Sequence, residues 1–141
     1  MARSTRAASK SIDRRSSCPL ACALDLLGDR WTLLVVRDLF SGKSRYGEFL
    51  ESAEAIPTNI LADRLVRLEN AGIIASEAYQ QNPPRYAYAL TAKGKDLKQA
   101  VGALALWGIR NFPKTQPSAR VMQALSPTRE PSAGDRSVLP R

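Results

Sequence analysis

The sequence predicts a mainly α, α+β domain: a helix-turn-helix unit, a two-stranded hairpin and a long closing helix. Three observations point there. "IPTNILADRLVRLENAGII", residues 56–74, reads as one bounded amphipathic helix. Residues 73–90 read as two short strands around a proline-rich tip. Residues 92–112 carry an apolar stripe at helical spacing.

Taken in order, Cys18-Pro19 opens a first short helix from Leu20 to Leu27, which Gly28 closes. Asp29 caps a second helix, Arg30 to Phe40, with Trp31, Leu34, Val35 and Leu39 facing inward. Ser41-Gly42-Lys43-Ser44 ends it. A third helix starts near Tyr46, buries Phe49 and Leu50, and ends near Ser52; Ala53 to Ile56 is a linker.

In the fourth helix Pro57 suits the first turn, where its missing N–H is no loss. Thr58 or Asn59 serves the free N–H groups there. Leu61, Leu65 and Leu68 follow at i, i+4 and i+7, one face of a 3.6-residue period. Gly72 is the expected left-handed stop. Asn59, Asp63, Val66 and Arg67 lie off the leucine stripe, with Thr58 and Arg64 at its flanks. Alone, such a face is the solvated side of a surface helix.

Ile73 to Tyr79 reads as a strand, Gln80 to Pro84 as the tip, and Arg85 to Leu90 as a second strand. Tyr86, Tyr88 and Leu90 share one face of it by period 2. Thr91 caps the last helix, Ala92 to about Phe112, which at ~1.5 Å per residue spans ~30 Å. A helix-turn-helix followed at once by a hairpin is a winged helix.

The net charge is +8, and it lies mainly at the ends. Residues 1–17 carry Arg3, Arg6, Lys10, Arg14 and Arg15 against Asp13, net +4. Residues 113–141 carry Lys114, Arg120, Arg129, Arg136 and Arg141 against Glu130 and Asp135, net +3. Both ends are rich in Ser, Pro, Ala and Arg and poor in periodic apolar residues. We therefore expect disordered basic tails at 1–17 and 113–141, flanking a folded domain at 18–112. Basic tails suit a polyanion such as nucleic acid, and they equally suit plain solubility.

Several functions are disfavoured. With no histidine, Ser-His and Cys-His pairs and His-ligated metals are absent. Two cysteines build neither a four-cysteine zinc site nor a disulfide framework. Ser41-Gly42-Lys43-Ser44 looks like the end of a phosphate-binding loop, but Arg37 stands where the first glycine belongs, so it reads as a turn. No enzyme activity and no cofactor are expected. The apolar run near the front, Leu33 to Val36, is far short of the ~20 residues that span a bilayer. Arg14-Arg15 and Pro19-Leu20-Ala21-Cys22 lack the apolar region of an export signal; an organellar transit peptide is the lesser reading of the first segment. The expected location is cytoplasmic.

The segments "CPLACALDLLGDRWTLLVVRDLFSGKSRYGEFLESAEAIPTNILADRLVRLENAGII", "PPRYAYALTAKGKDL" and "ALALWG" together resemble the HxlR-type bacterial transcriptional regulators, winged-helix proteins related in fold to the MarR group. The matching motifs are Cys18-Pro19, Gly28 with Trp31 to Leu34, Arg45 to Phe49, Leu61 to Gly72, Pro83 to Gly94, and Trp107. Phe49 stands where the family usually has leucine. The likeness covers about residues 18–112 and leaves the tails out.

That resemblance implies a sequence-specific DNA-binding homodimer, read as a repressor, on a pseudo-palindromic operator in double-stranded DNA. The fourth helix then enters the major groove. Asn59 and Arg67 are the base-edge candidates. Thr58, Lys43 and Arg64 are assigned to phosphates, which position without specifying; Arg64 alternatively pairs with Glu69 or Glu48. Arg45 contacts DNA or supports the turn, Asp63 faces a base or water, and Gln81 and Arg85 place the wing at the minor groove. Leu20, Leu24, Leu27, Leu97, Val101, Leu104 and Trp107 are assigned to the dimer interface. Cys18, at a helix N-terminus that favours the reactive thiolate, is the candidate redox or electrophile sensor. The competing reading makes Cys18 and Cys22 small buried hydrophobes. The rival functions are a winged-helix protein-interaction module and a non-specific nucleic-acid-binding protein.

Overall fold

The computed structural model describes residues 15–127. The chain runs α1 (Pro19–Leu27), α2 (Thr32–Phe40), α3 (Tyr46–Leu50), α4 (Thr58–Asn70), β1 (Ile74–Gln81), β2 (Pro84–Leu90), α5 (Ala92–Lys95), α6 (Lys98–Asn111) and α7 (Ala119–Leu125). It is a winged helix-turn-helix. No helix among the described residues is long and apolar enough to cross a membrane. The expected tail at 1–17 falls almost wholly outside the described residues.

One core holds the helices together. Val35, Val36 and Leu39 of α2 meet Phe49 of α3, Leu61, Leu65 and Leu68 of α4, and Ile73-Ile74 at the start of the wing. Val101 and Leu125 close it from the C-terminal side. The leucine stripe of α4 is wholly inside, so its opposite face turns outward. Ala71 ends the helix, and Gly72 follows at φ +74°. There Gly72 N–H donates to the Glu69 carbonyl and Ile73 N–H to the Leu68 carbonyl, both at 3.0 Å. This crossed pair needs a left-handed residue, which glycine adopts without steric cost. Pro57 occupies the N-cap, and neither Thr58 nor Asn59 makes the expected side-chain capping bond.

β1 and β2 pair antiparallel from Ile74 opposite Leu90 to Gln81 opposite Pro84, with a bulge at Tyr79. The tip is thus tighter than expected, Asn82-Pro83, joined by a cis peptide bond. A third segment joins the wing: Arg45 bridges Ala87, and Tyr88 N–H donates to the Ser44 carbonyl at 2.8 Å. The wing is anchored to the start of α3 by this pairing.

Two expectations are corrected at the C-terminal side. The long helix from Ala92 is broken at Asp96–Leu97 into α5 and α6. Its first turn is pinned to the wing: Thr91 Oγ1 donates to the Gly72 carbonyl, and Gly94 lies so close that a Cβ there would sit 2.2 Å from the Ile73 oxygen. α6 instead packs against α2 and α7. Residues 113–127 are not a structureless tail either. Ser118 Oγ caps α7, and Leu125 is buried against the core, with Val121 one turn earlier half-buried beside it. The folded unit therefore extends past 112, to 125.

Candidate nucleic-acid interface

The outward face of α4 carries Thr58, Asn59, Ala62, Asp63 and Val66, all exposed, and Arg67 at its edge. The Arg67 side chain makes no hydrogen bond or ion pair with the described residues, so its five N–H donors stay available. Val66 is 57% exposed. Sequence reasoning placed it on this face and gave it no role. An apolar side chain beside free polar ones suits the thymine methyl group.

Arg64 is a correction. Its Nε donates to Asp29 at 2.8 Å, its NH1 donates to Asp63, and its side chain is only 19% exposed. It holds the centre of α4 to the entry of α2, so its guanidinium is engaged within the chain and not held out toward a phosphate. Neither carboxylate considered as its alternative partner takes that role. Glu69 accepts from Ser76 Oγ, and Glu48 accepts from the Arg45 N–H. Asp63, expected to meet a base or water, is engaged by Arg64.

Asp29 is the centre of this tie. It accepts from Trp31 N–H at 3.0 Å, Thr32 N–H at 3.2 Å, the Thr32 hydroxyl and Arg64. Burial alone would raise its pKa, but the hydrogen bonds from Thr32, Arg64 and the Trp31 amide outweigh burial, so the carboxyl is held well below the usual range. A depressed pKa contributes stability above the unfolded value near ~3.9 and loses it as pH falls through the folded value. Asp29→Asn is therefore expected to cost about 1.5–3 kcal/mol at pH 7. In urea unfolding the gap between variant and wild type should narrow as the pH is lowered below about 4. A gap that stays constant into strong acid would rule out this role.

Lys43 is likewise drawn inward. Its ammonium donates to Ser52 Oγ at 2.7 Å and lies 3.8 Å from the buried Asp38 carboxylate. This committed ammonium is a poor phosphate contact. Arg45 remains exposed, its guanidinium 4.2 Å over the Tyr79 ring. Gln81 and Arg85 are exposed at the wing tip, and the Arg85 side chain has no ion-pair or hydrogen-bond partner among the described residues. The face that reaches outward is thus Thr58, Asn59, Val66 and Arg67 on α4, with Arg45, Gln81 and Arg85 beside and on the wing.

The residues assigned to a dimer interface divide. Leu20 (66%), Leu24 (51%), Leu104 (56%) and Trp107 (56%) are exposed. Leu106, Ile109 and Phe112 add to them, and Phe112 meets the Trp107 ring edge-on at 5.8 Å. Val101 is buried within the chain at 7%, and Leu27 and Leu97 pack on the same core. Those three serve the monomer's interior, with Val101 in the buried core and Leu27 and Leu97 packed against it.

Cys18 occupies the N-cap of α1 and is exposed, so the buried-hydrophobe reading does not hold for it. Cys22 is half-buried, and its thiol donates to the Ser16 carbonyl at 3.3 Å.

Residues 26–116 match the family profile described as HxlR-like helix-turn-helix. An HTH-type transcriptional regulator of Synechocystis is 39% identical over 62% of this chain and 64% of its own length. One from Mycobacterium tuberculosis is 37% identical over 67% of this chain and 59% of its own. The chain thus spans about three fifths of the length of those relatives. Among solved structures, the redox regulator HypR in its oxidized form is 34% identical, with TM-score 0.61, covering 67% of this chain and 97% of that one. The reduced form of the regulator YodB from Bacillus subtilis is 29% identical, with TM-score 0.57, over 72% of this chain and 100% of that one.

Proposed function

This chain belongs to the HxlR-like helix-turn-helix family, and from that premise we propose that it is a sequence-specific DNA-binding regulator of transcription. It acts as a homodimer on a pseudo-palindromic operator and represses by occupying it, working at the nucleoid. The observation that carries this reading is the outward face of α4. Asn59 and the unpaired Arg67 stand clear on a helix whose other face is locked into the core. The Asp29–Arg64 tie fixes the helix's attitude. Asn and Arg are the side chains that read adenine and guanine edges. The exposed cations Arg45 and Arg85 supply phosphate and minor-groove contacts on the flanks.

The test is a gel shift on the DNA upstream of the protein's own reading frame, at two salt concentrations. Affinity should fall steeply with salt, with a log–log slope of about −0.9 for each phosphate neutralised. A preferred sequence separates this reading from non-specific nucleic-acid binding. Salt-independent failure to bind any duplex would favour a protein-interaction module.

A redox-responsive element is proposed at Cys18. It is exposed at the positive end of a nine-residue helix, and the chain is similar to a solved redox regulator. Cys22, four residues on in the same helix, is badly placed to form a disulfide with it, so oxidation ends at sulfenic acid or bridges two subunits. Diamide is expected to change DNA affinity in wild type and not in Cys18→Ser. Equal affinity in all four conditions would leave Cys18 as a surface residue without a sensing role.

A further inference from the structure

Within the turn between α2 and α3, residues 41–44, the one cation is Lys43, and it is drawn back onto Ser52 and Asp38. A second cation reaches the same turn from far along the chain. The guanidinium of Arg120, in the first turn of α7, lies so close to Gly42 that a Cβ there would sit 3.0 Å from its terminal nitrogen. Gly42 stands at φ +100°, a conformation glycine adopts without strain, and its missing Cβ leaves the place the guanidinium takes. The helix that carries Arg120 is fixed: Leu125 is buried in the core, Val121 packs beside it, and Ser118 Oγ caps the first turn. Arg120 and Gly42 are both exposed, and the Arg120 side chain makes no hydrogen bond or ion pair with the described residues. Five N–H donors are therefore held over an open turn without a partner. Gly42 lies three residues before Arg45, so their Cα atoms are at most ~11 Å apart. Tyr46, next in the chain, donates its hydroxyl to the Thr58 carbonyl at 2.7 Å in the first turn of α4.

We propose that Arg120 is a further contact to the DNA backbone, one that brings α7 into the interface and fills the phosphate role Lys43 leaves open at this turn. It rests on the DNA-interface reading above. A guanidinium without a carboxylate partner favours a phosphate oxygen, to which it bonds through two N–H groups. Gly42 is the second residue past Phe40, so the cation stands at the C-terminal end of α2. The helix dipole favours a positive charge there and uses none of its N–H donors. A separation of ~11 Å from Arg45 amounts to about three phosphates of one strand, at ~3.4 Å of duplex axis each. The contact positions the duplex and reads no base. Arg120 lies beyond residue 116, where the match to the family profile ends, so the contact belongs to α7 and not to the matched domain.

The experiment is fluorescence anisotropy of the full chain on a labelled duplex from upstream of its own reading frame and on a scrambled duplex, between about 50 and 200 mM salt. Arg120→Gln should weaken binding to both duplexes by the same factor. It should also move the log–log salt slope toward zero by about 0.9 for each bound chain. The ratio of wild-type to variant affinity should then be about 3.5-fold larger, per bound chain, at the low-salt end. Arg120→Lys keeps the charge and should keep most of the slope. Melting followed by circular dichroism should be the same in all three proteins. If Arg120 serves only to cap α2, Arg120→Gln melts lower and the slope does not move; that result overturns the contact. A loss confined to the upstream duplex overturns it too, because a backbone contact is blind to sequence. If wild-type binding falls with salt and Arg120→Gln matches it, the Arg120 contact fails and the DNA reading stands. If the wild type binds neither duplex at any salt, the DNA reading itself fails and the contact falls with it.

Discussion

Leu104→Glu should convert a homodimer into monomers and weaken operator binding by about 10²–10⁴-fold, the gain that linking two binding events supplies. Leu104 is 56% exposed on α6, on a chain that also shows Trp107, Phe112, Leu20 and Leu24 to solvent. Trp107 and Phe112 already touch edge-on, and exposed apolar side chains gathered into a patch mark an interaction site. Burying a leucine contributes about 1.5–3 kcal/mol, and an exposed tryptophan is a typical anchor. An isologous interface brings each such residue in twice, so one glutamate places two charges in the apolar seam. The fold should survive, since the side chain leaves the core untouched. Sedimentation of wild type and variant at micromolar concentration, with operator affinity measured alongside, checks both halves. A folded monomeric wild type would end the dimer model. A monomeric variant that kept full affinity would show that the two half-sites, spaced about one duplex turn of ~34 Å, are not read together.

Much of this architecture is legible in local pattern. Leu61, Leu65 and Leu68 set the buried face of α4, Gly72 sets its end, and period-2 tyrosines announce the wing. Each signal lies within a few residues of the feature it predicts. What was not legible depends on partners far along the chain. Arg64 finds Asp29, 35 residues away, and Lys43 turns to Asp38 and Ser52, so two cations with a sound local claim to phosphate are already committed. Val101 fits an apolar stripe whichever way the helix faces, and its burial is set by the core residues it meets from far along the chain. α7 had a usable signal in Ser118 followed by Val121 and Leu125, outweighed by the basic, proline-containing composition around it.

Asn59→Ala and Arg67→Ala should each cost about 1–3 kcal/mol on a defined operator, and each should relax preference at one base position. Their geometry differs, and so do the expected patterns. Asn59 lies in the first turn of α4, exposed, where the N-terminal residues of a recognition helix meet base edges. Its amide offers one donor and one acceptor to adenine, and alanine offers neither. Arg67 comes eight residues later and is half-buried, and its guanidinium is unpaired among the described residues. A bidentate guanidinium selects guanine, so its loss should flatten the preference at a second position and reduce the salt slope little. Arg85→Ala is the internal contrast: a wing cation should lower affinity across all sequences and shift the salt slope toward zero by about 1. Binding to randomised operators, sequenced before and after selection, measures all three variants together. If Asn59→Ala and Arg67→Ala both keep the wild-type sequence preference, α4 does not face the bases in the orientation assigned to it.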